Sequence, residues 1–472
     1  MFGTRTLKET RNPLPATFMR GGTSKGIYIN RADLPIDRAE WPRIFLGIMG
    51  SPDLEYGRQL NGMGGGVSSL SKICVVGPPT TSNTPPTAAT NSPDIGAISP
   101  HNFSSAHHAK YPSSDDATVD VEYTFVQVGI KDSVVDYSGN CGNLSSMIGV
   151  FAVDEGMCVP RISTSAPTDV DGEMARGTVR AWNTNTNKRI DNTFPIEQVE
   201  YGSDSISRER ASKDGRRWVP VLDMEEASVA GVSGMASQII LDFVNPGGAR
   251  TGKLLPTGGP LDFLALPSHF QPPTLAFHSN QAVNVKVEVS LIDATNPTVF
   301  VSESAVRDTL CQITGSAQSA AASGAESSVI PLDFSSGELM GLLEWIRKAG
   351  AERMGLDPSA QAQPKIAIIS LPPALDDVDL EVRALSMGVP HKAVPMTVGL
   401  CLGVAVRIPG TNAHKAVSEG RRTIKKKGSK LVTLKHPGGT VDVGAEFDES
   451  GDVRSAKVVR TGRRLMRGVV WW

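Results

Sequence analysis

Two stretches far apart in this chain carry the same side-chain rhythm, and that rhythm constrains the fold more than any other feature of the sequence. Val119, Val121, Tyr123 and Phe125 alternate with Asp120, Glu122 and Thr124, while Val285, Val287, Val289 and Leu291 alternate with Lys286, Glu288 and Ser290. A period of two sends successive side chains to opposite faces, so each stretch reads as a strand with one face buried. Both halves of the chain therefore contain sheet. At 472 residues the chain is too long for one small core, and two domains of ordinary size, or one domain doubled, are expected.

Helical signals fall between the strands. Ser335 and Glu338 have capping-box spacing, and Leu339, Leu342, Leu343 and Ile346 follow at i, i+3, i+4, i+7, which predicts a helix ending near Gly350 or Gly355. A second helix is predicted from Asn143, carrying Leu144, Ile148 and Phe151 inward, and a third over 400–406, rich in small residues. Each of the last two follows a glycine-containing turn. The order of apolar strand, tight turn and inward helix thus occurs around 140–153 and again around 397–406, which hints at a doubled architecture. Residues 78–116 are mostly Pro, Ser, Thr, Asn and His with hardly a large apolar side chain, and read as a long, mobile surface insertion.

Composition narrows the function classes. A formal net charge of −2 with 20% charged residues leaves no surplus of either sign, so neither nucleic acid nor a membrane surface is expected as a partner. No stretch approaches the roughly 18 consecutive apolar residues of a membrane span, and residues 1–15 lack an apolar signal core, so the expected location is the cytoplasm. The 47 glycines and 32 prolines beside few aromatics favour a turn-rich α+β architecture over a helical bundle. Five cysteines without a CxxC pair imply neither a disulfide framework nor a zinc site, so no metal is expected.

The chemistry-bearing residues gather at three glycine-rich turns: 19–26 with Arg20, Ser24 and Lys25; 62–72 with Gly65, Gly66, Ser68, Ser69, Ser71 and Lys72; and 139–143 with Asn140, Cys141, Gly142 and Asn143. Glycine lets backbone approach a ligand closely and aim several N–H groups at one anion, and Arg, Lys, Ser and Asn complete a carboxylate or phosphate site. Neither GxxxxGK[ST] nor GxGxxG opening a helix after a strand is present, so a nucleotide cradle is disfavoured. Cys141 precedes a predicted helix, where free N–H groups can bind an oxyanion; the plainer reading is a tight turn with a small buried cysteine. Lys72 precedes the short apolar run 73–76, which would hold its ammonium at a strand start beside low-dielectric walls, although a single lysine is ordinarily a solvated surface charge. His391 and Lys392 can clamp a carboxylate, or His391 can simply serve as a structural hydrogen-bonding residue. His107, His108 and the run Lys425, Lys426, Lys427 read as solvated, and Cys74, Cys158 and Cys311 as core or incidental.

Taken in order, the three turns resemble the 2-methylaconitate isomerase and aconitate Δ-isomerase family, whose members share a diaminopimelate epimerase-like fold. The likeness continues through 242–246, 251–258, 293–297, 387–393, 408–411 and 436–439, with Gly438 in the last of these. It covers nearly the whole chain outside the insertion. The resemblance implies two similar domains, each a mixed sheet wrapped around a central helix, with the active site in the cleft between them. It places the N-terminal domain at 1–250, completed by 448–472, and the C-terminal domain at 251–447. It also implies that Lys72 is the proton-transfer base with Cys141 across from it, and that the substrate is a small polycarboxylate handled without a cofactor. The epimerising relatives use a second cysteine, but here the corresponding turn reads Thr397, Val398, Gly399, with Cys401 two residues on and inside the predicted helix. That departure favours an isomerase moving a double bond, from cis-aconitate to trans-aconitate, with 2-methylaconitate or oxalomesaconate as alternative substrates. Two other classes stand beside it: a Cys141–His391 hydrolase, and a non-catalytic accessory to an aconitase-like partner. Self-association into a homo-oligomer is compatible with all of them.

Overall fold

The computed structural model describes residues 12–80, 118–137, 139–162, 174–200, 216–267, 270, 285–314, 332–360, 363–372, 378–386, 388–420 and 431–472. The insertion expected at 78–116 lies outside the described residues from 81 onward, as do His107, His108 and Lys425 to Lys427. The α+β class is borne out. Twenty of the described strands join one hydrogen-bonded network.

Both alternating stretches are strands, at Val121–Val128 and Lys286–Ala294. In the first half of the network, Leu14–Gly21, Ser24–Asn30, Lys72–Gly77, Val121–Val128, Arg176–Asn183, Lys188–Glu200 and Ile239–Val244 each pair with the next. The C-terminal strands Val453–Arg460 and Gly462–Val470, separated by Thr461 alone, pair with Ile239–Val244 and with Leu14–Gly21 respectively. The run of strands therefore returns on itself. Against its inner face lie two short helices, Gly142–Ser145 and Ile148–Asp154.

A second run of strands hangs on the other edge of Val453–Arg460. Gly439–Phe447, Leu431–His436, Leu380–Ser386, Lys365–Ser370, Asn296–Ser302, Lys286–Ala294 and Asp262–Ala265 follow in pairing order. Ala294 bridges back to Gly247, just past Ile239–Val244. The helix Met396–Ala405 packs on this set and is buried at every position from Val398 on, as an apolar sequence without an amphipathic face requires. One continuous apolar cluster includes side chains of both inward helices, among them Ile148, Phe151, Leu400 and Leu402. Burying each of these contributes about 1.5–3 kcal/mol.

Three boundaries depart from the sequence reading. The long helix spans Gly337–Arg353 and is capped by Ser336, whose side chain accepts from the Leu339 N–H, so the cap sits one residue beyond Ser335. The helix predicted from Asn143 breaks at Ser146 and Met147 into two pieces. The helix predicted at 400–406 starts at Met396 behind Pro395, which places Thr397, Val398 and Gly399 in its first turn rather than in a loop. Among the described residues, no helix is long and apolar enough to cross a membrane.

One cross-strand pair runs against the usual charge rules. Asp191 and Asp242 stand directly opposite each other on neighbouring strands, and like charges so placed destabilise a sheet. Burial, reinforced by the Asp242 carboxylate and opposed by Arg189, pushes the Asp191 carboxyl up to about 6. The folded protein thus binds a proton there more tightly than the unfolded chain. This group's stabilising contribution is present below the unfolded pKa of 3.8 and is lost as pH rises through about 6, a difference of about 3 kcal/mol. Asp191→Asn removes that titration. Relative to wild type, the variant is expected to gain up to about 3 kcal/mol between pH 4 and pH 8. Urea unfolding of both proteins at the two pH values measures it, and an unchanged difference would contradict the assignment.

Candidate active site

Lys72 is the first residue of the strand Lys72–Gly77, and the period of two points Lys72 and Cys74 to the same face. Cys74 and Val76 on that face belong to the cluster around the inward helices, whereas Ile73 and Val75 face a separate cluster with Trp41 and Ile44. The Lys72 ammonium lies 5.5 Å from the centre of the Phe125 ring and donates to Cys141 Sγ at 3.2 Å. Cys141 is 9% exposed. It caps the helix Gly142–Ser145 in an extended conformation and makes no side-chain capping bond. Its sulfur lies 3.8 Å from Ser24 Oγ, which is also buried. Lysine, thiol and hydroxyl thus form a chain of three exchangeable-proton groups drawn from three separate turns.

The segment 140–143 is held from behind. Asn140 Oδ1 accepts from Tyr123 Oη, Ser145 Oγ and Asn183 Nδ2. Tyr28 donates to the Leu144 carbonyl at 2.6 Å, and burial keeps both phenols protonated by raising their pKa values. Asn143 donates to Thr23 Oγ1 at 3.0 Å and accepts from Arg460 Nε at 3.1 Å. At Gly142 the two inward helices approach one another, because a Cβ there would overlap Met396 Sδ at the start of the second.

Several predicted site residues have other work. Ser71 is fully buried, donates to the Val128 carbonyl and accepts from Gln59 Nε2, so it fixes the loop. Gln59 Oε1 accepts the Gly66 N–H, and Gln127 holds the Ser68 carbonyl. Gly65 packs on Leu70, and Ser69 stands in the single turn Ser68–Leu70 that leads toward Lys72. Lys25 occupies the strand face opposite Ser24, over the Phe18 ring. Arg20, paired with Lys25 across the hairpin, spends its bonds on the Gly22 and Thr461 carbonyls and Thr461 Oγ1. Alternation thus turns both cations away from the Ser24 face, and Arg20 braces the turn. His391 and Lys392 are exposed, His391 Nδ1 accepts from the Ala393 N–H, and the Cys141 sulfur bonds to Lys72 and Ser24 rather than to His391. Gly438 donates its N–H to His436 Nδ1. Cys401 is buried inside its helix, bonded to the Ile292 carbonyl, and burial raises its thiol to about 12.

Sequence reading missed Arg460 and His436. Arg460 is 8% exposed, and among the described residues no carboxylate pairs with it. Burial lowers its pKa to about 10, while Cys141 raises it. His436 is buried close enough that the Arg460 charge, after burial itself, opposes its protonation. The bond from Gly438 leaves the ring proton of the neutral form on Nε2. Among the described residues, no three His, Cys, Asp or Glu side chains converge as metal ligands.

The sequence matches the family described as PrpF protein over residues 11–85, 89–208 and 219–472. It is 30% identical to the 2-methyl-aconitate isomerase of Shewanella oneidensis, covering 96% of both chains, and 29% identical to the 3-methylitaconate isomerase of Eubacterium barkeri, covering 97% of both. The (4E)-oxalomesaconate Delta-isomerase of Novosphingobium sp. is 29% identical over 97% of each chain. The crystal structure of methylitaconate-delta-isomerase superposes with a TM-score of 0.67 and 28% identity, covering 98% of this chain and 96% of that one. A fold shared from end to end with enzymes of this kind makes the protein an isomerase. It belongs to the PrpF protein family.

Proposed function

We propose that the chain moves a proton, and with it a double bond, along a three-carbon unit of a small unsaturated tricarboxylate. In this reading cis-aconitate becomes trans-aconitate. The contact between Lys72 and Cys141 at 3.2 Å carries the proposal. An amine and a thiol at that distance give two proton stations side by side, so the member lacking a proton takes one from the substrate CH2 and the pair returns one at the far carbon. The charge left between these steps spreads over a dienolate, and the protein's part is to hold it.

Each oxyanion donor aimed at such charge is worth on the order of 3 kcal/mol, so several must converge. Backbone N–H groups of the glycine turns supply them, with the site lying between two lobes formed by 1–250 plus 448–472 and by 251–447. The approach of the two inward helices at Gly142 and Met396 supports that placement. No cofactor takes part in this chemistry, and the enzyme works in the cytoplasm.

The relatives' names favour 2-methylaconitate as the second candidate, followed by oxalomesaconate. One methyl in a pocket is worth only about 1–3 kcal/mol, so rates rank these substrates rather than exclude them. The test is incubation with cis-aconitate, 2-methylaconitate and 3-methylitaconate in heavy water, followed by NMR. New vinyl signals with deuterium at the allylic carbon are expected; absence of exchange from all three would end the proposal.

A further inference from the structure

We infer that Arg460, steadied by Asn143, is the anchor for one carboxylate of the substrate; this rests on the isomerase reading above. A buried guanidinium is normally matched by a carboxylate, because an unpaired charge out of water is costly. Arg460 has only neutral partners among the described residues: Nε donates to Asn143 Oδ1 at 3.1 Å and Nη1 to the Val459 carbonyl at 2.8 Å. Those two bonds fix the plane of the fork and leave Nη2 without a protein acceptor among the described residues.

The position of that fork is specific. Asn143 lies two residues from Cys141, so the guanidinium is tied to the turn that carries the proton-transfer thiol. Gly22, at φ +49°, makes the arrangement possible: a Cβ there would overlap Asn143 Oδ1 and stand 3.2 Å from Arg460 Cδ. Neutral His436 is close enough to sense the arginine, and no acidic side chain among the described residues offsets either. A site that gathers a fixed fork, an amine and a neutral imidazole calls for a ligand bringing its own negative charge. A carboxylate fits because both of its oxygens lie in one plane, as the guanidinium N–H groups do.

The experiment measures binding separately from turnover. Tricarballylate, a saturated tricarboxylate that cannot isomerise, is titrated by calorimetry into wild type, Arg460→Met, Arg460→Lys and Arg467→Met. The last removes a surface arginine paired with Glu155 and controls for the loss of charge alone. We expect Arg460→Met to weaken binding about 100-fold, Arg460→Lys about 10-fold, and Arg467→Met by less than about 2-fold. Arg460→Lys keeps the charge and carries the test should the Met variant fail to fold. Wild-type binding matched by the folded Arg460 variants, or no wild-type binding at all, overturns the inference, as does inorganic phosphate binding more tightly than tricarballylate. Failure of the isomerase reading shows separately, as absent deuterium exchange in a wild-type protein that still binds tricarballylate through Arg460.

Discussion

Lys72→Ala is expected to fold as wild type does and to lose about a thousandfold or more in turnover, with little change in thermal stability. The lysine side chain is half-buried at a strand start, and its contacts are the Cys141 sulfur and the face of Phe125. The alanine methyl replaces no core volume, so the strand keeps its register with Ser24–Asn30 and Val121–Val128. On the proposed mechanism, what disappears is one of the two proton stations, and a positioned acid or base contributes typically 10² to 10⁴ in rate. Losing it also leaves Cys141 without its amine neighbour at 3.2 Å. The readout is deuterium exchange into the unsaturated substrate beside a melting curve. Near-normal exchange in a well-folded variant would remove Lys72 from the chemistry.

Gly21→Ala is expected to combine a structural loss with a functional one. A Cβ at Gly21 would overlap the Asn143 carbonyl oxygen and stand 2.8 Å from Ser146 Oγ. The main obstruction is backbone, which cannot swing aside as a side-chain tip can. The first hairpin and the helix Gly142–Ser145 must separate, and with them Ser24, Cys141 and Asn143. Overpacking of this kind costs about 1–3 kcal/mol, and the distortion of the site should lower turnover by about a hundredfold, as an error near 1 Å in positioning does. Gly139→Ala is the matched control, because a Cβ there meets nothing within 4 Å. It should stay within about 0.5 kcal/mol of wild type. Equal effects of the two substitutions would show that the close approach at Gly21 is not what holds the turns together.

Much of the fold was legible in the residues. The period-two stretches became strands, the i, i+3, i+4, i+7 pattern became the helix Gly337–Arg353, and the helix Met396–Ala405, apolar all round, became a core element. Each of these depends on neighbours a few positions apart, which a single chain displays. Lys72 and Cys141 could be singled out for the same reason: each sits beside a glycine turn whose local chemistry is visible. That the two are partners came from the family resemblance.

The chain alone determined which segments could be strands, which helices had to be buried, and which turns could bring donors to an anion. Only the tertiary structure decided which side chains those turns present together. Strand alternation sent Arg20 and Lys25 to the face opposite Ser24, and full burial committed Ser71 to the loop. Arg460 reaches Asn143 across 317 residues of sequence, and nothing local marks it out among the other arginines of the C-terminal strands. The physical reason is that strand pairing and close backbone approach are set by the whole sheet returning on itself, whereas periodicity reports only the face on which a residue begins.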